Sequence, residues 1–369
     1  MRPPLALAAV VALAACADAL TPRYFRPAQW PQGDRAFRGE PRWLGGDGAA
    51  SIDLGEGRTL WLFQDSLVAA RPDATRATAT RVRNAIAVMD GRNPATASTH
   101  FALPFDGEGA PRSFFRAAGE VESRGWYWPT HGARVPGGPL LVFLARVEPT
   151  PGLGLGFAAT GWRVVVIDNP DDEPEAWTER WLTPPALPFD AVPGAAVVRE
   201  GGYLYALAPR ADGQHDAYLA RVRESEVLRG VLAPEWWVGA GWAAQEIVAG
   251  NARVVIEEAG TEASIHYAPQ LRRWVFVTSH GLGATTVAMR FAEGLTGPWS
   301  PLRDVYTPPE STAPNPLVYG AKAHPGLTTG DASELVVTYA TSSFTPDALL
   351  APAGGGLFWP RFVRVAMAP

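Results

Sequence analysis

The stretch GGDGAASIDLGEGRTLWLFQDS, residues 45–66, decides the fold. Residues 51–54 and 59–63 read as two antiparallel strands, with Gly55-Glu56-Gly57 as the tight turn between them. An acid stands at each outer end: Asp47 just before the first strand, Asp65 just after the second. The open ends of a hairpin lie side by side, so both carboxyl groups fall on one rim, about one or two strand spacings apart. Paired acids on a rim suit proton-transfer chemistry, and they also suit a solvated turn.

The same unit recurs along the chain. Residues 130–135 and 140–147 flank a Pro-Gly-Gly-Pro turn; 194–198 and 203–208 form a third copy, 263–267 and 273–279 a fourth, 319–324 and 334–341 a fifth. Further short strands fall at 84–88, 161–167, 217–222, 285–292 and 362–366, and residues 224–229 read as a short helix. The Pro- and aromatic-rich residues 21–43 are expected to supply a closing strand. Five antiparallel units that cannot bury their faces alone predict an all-β, five-bladed β-propeller over residues 20–369. A β-sandwich is the alternative, but it would not repeat a hairpin with a small-residue first strand. Ala49-Ala50-Ser51, Gly132-Ala133, Gly194-Ala195-Ala196, Ala263-Ser264 and Gly320-Ala321 all fit the crowded axis of a propeller, so residues beside them are expected to face a central cavity.

Composition agrees with that class. The 369 residues include 38 Gly and 35 Pro, too many for a helical protein, and 14 Trp that suit packing between blades. A formal net charge of −5 gives nucleic-acid binding no electrostatic support. Residues 1–19 read as a signal peptide, and Leu13-Ala14-Ala15-Cys16 resembles a bacterial lipobox with Cys16 as the lipidation site. Membrane contact is then expected through a lipid anchor only, at the bacterial cell envelope. Cleavage after Ala17 or Ala19 would instead release a secreted soluble protein. Cys16 is the only cysteine, so stability must come from packing rather than an internal disulfide. A monomer is expected.

The segments GGDGAASIDLGEGRTLWLFQDS, RNAIAV, WYWPTHGARVPGG, SIHYAPQLRRWVFVTS, GLTGPWS and YGAKAHPGL…VVTYATSS resemble an uncharacterised bacterial five-bladed propeller family, from about Trp43 onward. That family is similar to the clan of arabinanases, arabinofuranosidases and β-xylosidases, and the resemblance implies three acids at inner-strand starts: a base, a pKa-tuning carboxylate and a proton donor. Asp47 matches the base or nucleophile, and Asp65 the family's acid after the second strand. For the donor, Glu262 has the best placement among Glu257, Glu258, Glu262 and Asp190. The second unit departs from the pattern: Trp128-Pro129-Thr130-His131 carries His131 where relatives tend to have an acid; histidine is no permanent anion but can give or take a proton near neutrality, so His131 is expected, with Asp65 and Lys322, to tune and position the catalytic groups.

Lys322, the only lysine, and Tyr319 fall in the fifth inner strand and are expected to contact substrate or pair with a carboxylate such as Asp47. Trp128 is the first choice for stacking on a sugar ring, ahead of Trp126, Tyr127, Trp236, Trp237 and Trp242. His324 is placed like an axial histidine that contacts a central calcium or sodium ion in some clan members; no cofactor is otherwise required. No phosphate-binding Gly loop, nucleophile elbow or HExxH motif is present. These residues point to hydrolysis of a furanoside-containing, arabinan-like polysaccharide. The rival is a non-catalytic glycan-binding propeller, and a third possibility, an envelope scaffold, would show a flat apolar patch and no polar cavity.

Overall fold

The computed structural model describes residue 22 and residues 24–368, apart from 153–154, 188, 212–214, 249, 314, 346 and 352–354; residues 1–19, where a signal peptide and lipidation at Cys16 are expected, lie outside the described residues. The chain forms five antiparallel sheets, each wound from an inner to an outer strand. The first blade runs Trp43–Gly55, Arg58–Val68, Ala85–Asp90 and Ser98–Ala102, with Thr80–Val82 paired beside its second strand. The second comprises Trp126–Arg134, Leu140–Pro149, Phe157–Ile167 and Glu179–Leu182. Blade three has five strands: Val197–Glu200, Tyr203–Pro209, Ala217–Arg223, Glu235–Trp237 and Trp242–Ala244. Blade four is Ala263–Ala268, Arg273–His280, Thr286–Ala292 and Arg303–Tyr306. Pro316–Ala323, Glu334–Ser343 and Arg361–Ala368 make up most of the fifth, and Tyr24–Gln29 completes it as the outermost strand. The expected closing strand therefore exists, with Tyr24 opposite Ala368.

Period-two side-chain alternation explains why the second strands are almost continuously apolar. Leu60 and Leu62 point into the core shared with blade two, while Trp61 and Phe63 point into the core shared with blade five. Leu140 and Val142 face blade one, Leu141 and Phe143 blade three. Phe276 packs toward blade three, and Val275 and Val277 toward blade five. Both faces of each blade are thus buried against neighbours. Trp43, Trp61, Trp162 and Trp236 are fully buried, and Trp30, Trp126, Trp274 and Trp359 are nearly so, which makes most of the tryptophan load structural.

Three sequence boundaries need correction. Asp47 and Asp65 lie inside longer strands rather than beyond their ends, because irregular pairing lets the ladder continue past them. Trp126, Tyr127 and Trp128 belong to the second inner strand instead of preceding it. Trp236, Trp237 and Trp242 form the outer hairpin of blade three, where Arg221 lies 4.3 Å over the Trp242 ring. Among the described residues, no helix is long and apolar enough to cross a membrane.

Candidate active site

Irregular pairing in the inner strands builds the site. In blade one Gly46 pairs with Ser66 and Gly48 with Phe63, so Asp47 faces two residues, Gln64 and Asp65. A bulge of this kind re-aims side chains at the rim of a sheet, and here it sets the two acids next to one another. Ala49 follows at φ 53°, a second departure from regular pairing. The fifth inner strand bulges between the Tyr319↔Ala340 and Lys322↔Thr338 pairings. Gly320 at the bulge has φ +65°, and a Cβ there would lie 3.2 Å from Glu262 Oε2 and 3.3 Å from Lys322 Nζ. Only glycine fits that approach without displacing the pair. His131 sits at a third irregularity, between the Pro129↔Leu144 and His131↔Phe143 pairings.

These devices bring together residues from blades one, four and five. The Tyr319 hydroxyl donates to Asp47 Oδ2 at 2.5 Å, while Asp47 Oδ1 is buried with no partner among the described residues. Lys322 donates to Glu262 Oε2 at 2.5 Å, Gly48 O at 2.6 Å and Gly320 O at 2.9 Å, which uses all three of its hydrogens. Its side chain is 2% exposed. The expected partnership of Lys322 with a carboxylate is present, but the partner is Glu262. Asp65 accepts from Trp128 Nε1 at 2.9 Å and from Arg83 at 3.1 Å. Trp128 is half-buried, and its N–H orients an acid.

Burial pushes the Asp47 carboxyl well above the usual range; repulsion from Asp65 and then Glu262 adds to this, while the Tyr319 hydrogen bond and Lys322 oppose it. Asp65 is also raised by burial, against the pull of Arg83, Trp128 and Arg81. Tyr319 is driven up by burial and the Asp47 charge, so its hydroxyl stays a donor. Asp47 is therefore the acid pushed strongly upward, by burial first and by Asp65 and Glu262 next, with a neutral hydroxyl rather than a cation hydrogen-bonded to its Oδ2.

His131 is lowered to about 4 by burial, so it is neutral at pH 7. Its Nδ1 accepts from the Val197 N–H at 3.3 Å, which leaves Nε2 to carry the proton. His324 bridges Ser51 Oγ and Thr338 Oγ1, each at 2.7 Å, through its two ring nitrogens. With both nitrogens engaged it does not fit the role of ligand to an axial calcium or sodium ion. His266, also neutral with a value lowered to about 4 by burial, keeps a buried Nδ1 with no partner among the described residues. Among the described residues, one metal-competent group brings its ligand atoms within 4.8 Å: His100, Glu173 and Glu175, all exposed and remote from the acids.

Of the other proton-donor candidates, Glu257 and Glu258 are exposed on the loop before blade four, and Asp190 is exposed ahead of blade three. Arg83 escaped the sequence reading; the Ser66↔Val82 pairing that puts it beside Asp65 is a contact between an acid strand and an unremarkable three-residue strand. Ser51 and Thr338 carried no signal either, being two of many hydroxyls in inner or second strands.

Comparison with solved structures places the fold among known propellers. A candidate hydrolase from Bacteroides ovatus aligns with TM-score 0.72 at 17% identity, over 92% of this chain and 90% of that one. A protein of unknown function from Dyadobacter fermentans aligns with TM-score 0.51 at 10% identity, over 89% and 96%. The α-L-arabinofuranosidase of Podospora anserina, in complex with cellotriose, aligns more remotely, with TM-score 0.46 at 10% identity over 89% and 92%. Comparison with curated proteins gave no match. A family described as a domain of unknown function, DUF5005, matches residues 33–367, and with nearly the whole propeller covered the chain belongs to that family.

Proposed function

We propose that this propeller is a glycoside hydrolase that cleaves a furanoside-containing, arabinan-like polysaccharide at the cell envelope. One observation carries the reading: three carboxyl groups from two blades, Asp47, Asp65 and Glu262, interact electrostatically in one buried site with a single lysine. Glycoside cleavage needs one carboxyl group that carries a proton to the leaving oxygen and one that assists the attacking water or the sugar carbon. Asp47 is the proton carrier in this arrangement. Glu262, its charge matched by Lys322, is the group placed to act on water. Asp65, oriented by Trp128 and Arg83, keeps Asp47 protonated, and Tyr319 fixes the Asp47 carboxyl plane. His131 is a neutral donor on the same rim.

These roles separate in kinetics. Asp47→Asn should lose about 10²–10⁴ in turnover of arabinan, yet retain most activity on aryl furanosides whose leaving group needs no proton. Glu262→Gln should lose both. The reverse pattern would restore the roles implied by the resemblance and refute this assignment. A second reading rests on His131: with no anion at that position, the chain would hold glycans without cutting them. Binding of arabinan by wild type and both variants, with no sugar released by any, would establish that reading. Lipid attachment at Cys16, a monomeric state and absence of a required cofactor are parts of the same proposal; labelled-lipid incorporation into wild type but not Cys16→Ser tests the anchor.

A further inference from the structure

An open groove of about 630 Å³ lies over the fourth blade. Asp216, Glu257 and Glu258 line it, together with His215, Ser279 and His280. It adjoins the acid site. The fourth inner strand begins at Ala263, directly after Glu262, and Ala263 pairs with Thr278, so Ser279 and His280 emerge at the same end as Glu262. Ser279 Oγ in the groove accepts the Ala321 N–H at 3.0 Å, next to Lys322.

The groove is built rather than a loose surface. Asp216 Oδ1 accepts the Glu258 N–H at 3.0 Å, which holds the acidic loop in place at a residue with φ 52°. Arg290 lies beneath, donating to Glu257 O at 3.1 Å and standing 4.0 Å from Glu258 Oε2. His280 is turned to Asp304 at 2.8 Å. Three carboxylates against one arginine leave the lining net negative. At its edge Leu282, one of the lining residues, is 89% exposed. Carboxylates that accept from hydroxyls, beside a serine hydroxyl that can donate, form a surface suited to a sugar.

We infer that this groove is the arm of the site that holds the glycan beyond the reacting bond, and that it prefers units bearing an amino group, accepts neutral units and rejects uronates. The inference rests on the glycan-cleaving reading above and adds the charge of the substrate. Two uncompensated charges about 6 Å from a ligand charge in near-aqueous surroundings change affinity roughly fivefold to tenfold, and salt weakens the effect.

The test is calorimetric binding of arabinohexaose, the same hexaose oxidised at its primary alcohols to carboxylates, and the same hexaose carrying amines there. The full chain is used at about 50 and 300 mM salt. The expected order is amine, neutral, carboxylate, with about fivefold or more between the charged forms and a smaller gap at high salt. Glu257→Gln/Glu258→Gln, at two exposed positions, should collapse that gap while keeping the neutral hexaose bound; a thermal melt verifies that the double variant is folded. Equal affinity for all three probes, or an unchanged gap in the double variant, overturns the inference and leaves the hydrolase reading standing. Binding of none of the three overturns both.

Discussion

Replacing Lys322 with methionine gives the sharpest test of how the site is held. Methionine keeps the length and apolar stem but removes the ammonium, which is 2% exposed and serves Glu262 Oε2, Gly48 O and Gly320 O. Glu262, whose side chain is 13% exposed, would be left as a buried charge without a cation. Breaking one side of a buried pair costs about 3–5 kcal/mol, more than the pair itself contributes. With about 2.1 cal/mol/K of unfolding entropy per residue, that is a Tm lower by about 4–7 °C. The loss depends on pH in a defined direction. An unpaired buried carboxyl binds its proton more tightly folded than unfolded, so the deficit is small at low pH and grows as pH rises above the unfolded carboxyl value. Adding Glu262→Gln removes the stranded charge and should recover at least half of the loss. Thermal melts and urea titrations of the single and double variants at about pH 5 and pH 8 measure all three effects. A Lys322→Met protein within about 1 kcal/mol of wild type, or a double variant whose loss is the sum of the singles, would refute the reasoning.

Asp47→Asn should raise Tm at about pH 8 while turnover falls. In wild type the raised carboxyl is stabilising only while protonated, so stability drops as pH climbs from the unfolded carboxyl value toward the folded one. The asparagine carries no such penalty, and the two melting curves should converge near about pH 4; a constant offset across pH would contradict the cause assigned to Asp47. Gly320→Ala should cost about 1–3 kcal/mol through its φ of +65° and the approach of its Cβ to Glu262, and should weaken turnover as the Lys322 pair shifts. Unchanged urea midpoint and turnover would show that the bulge does not hold the pair.

The fold was legible because the blade repeat is an energetic unit. Each copy needs a small-residue strand at the axis, a tight turn and an apolar strand buried on both faces, and sequences such as TLWLF and LLVFL record that need directly. Glu262 was legible for the same reason, since it directly precedes the fourth inner strand, whereas Asp47 was marked by the resemblance and lies inside its strand. Other features arose from pairing irregularities that leave no mark in composition. The Asp47–Asp65 juxtaposition depends on two residues opposing one, and the Lys322–Glu262 contact depends on a bulge at Gly320. The resemblance implied which acids to inspect, but the charge balance among them required knowing that Lys322 faces Glu262 while Asp47 meets a tyrosine hydroxyl. The two hydroxyl partners of His324, Ser51 and Thr338, leave no mark in the sequence because they come from different blades.

The pairing of Tyr24–Gln29 with Arg361–Ala368 has a consequence for biosynthesis. Tyr24–Gln29 leaves the ribosome early and has no partner until Arg361–Ala368 arrives, with nearly the whole polypeptide between them. Closing so long a loop carries an entropic cost that nearer hairpins do not, so the ring should seal late. Until it does, the strand Arg361–Ala368 exposes an unpaired edge, and a nascent chain in that condition is the form most exposed to aggregation and proteases.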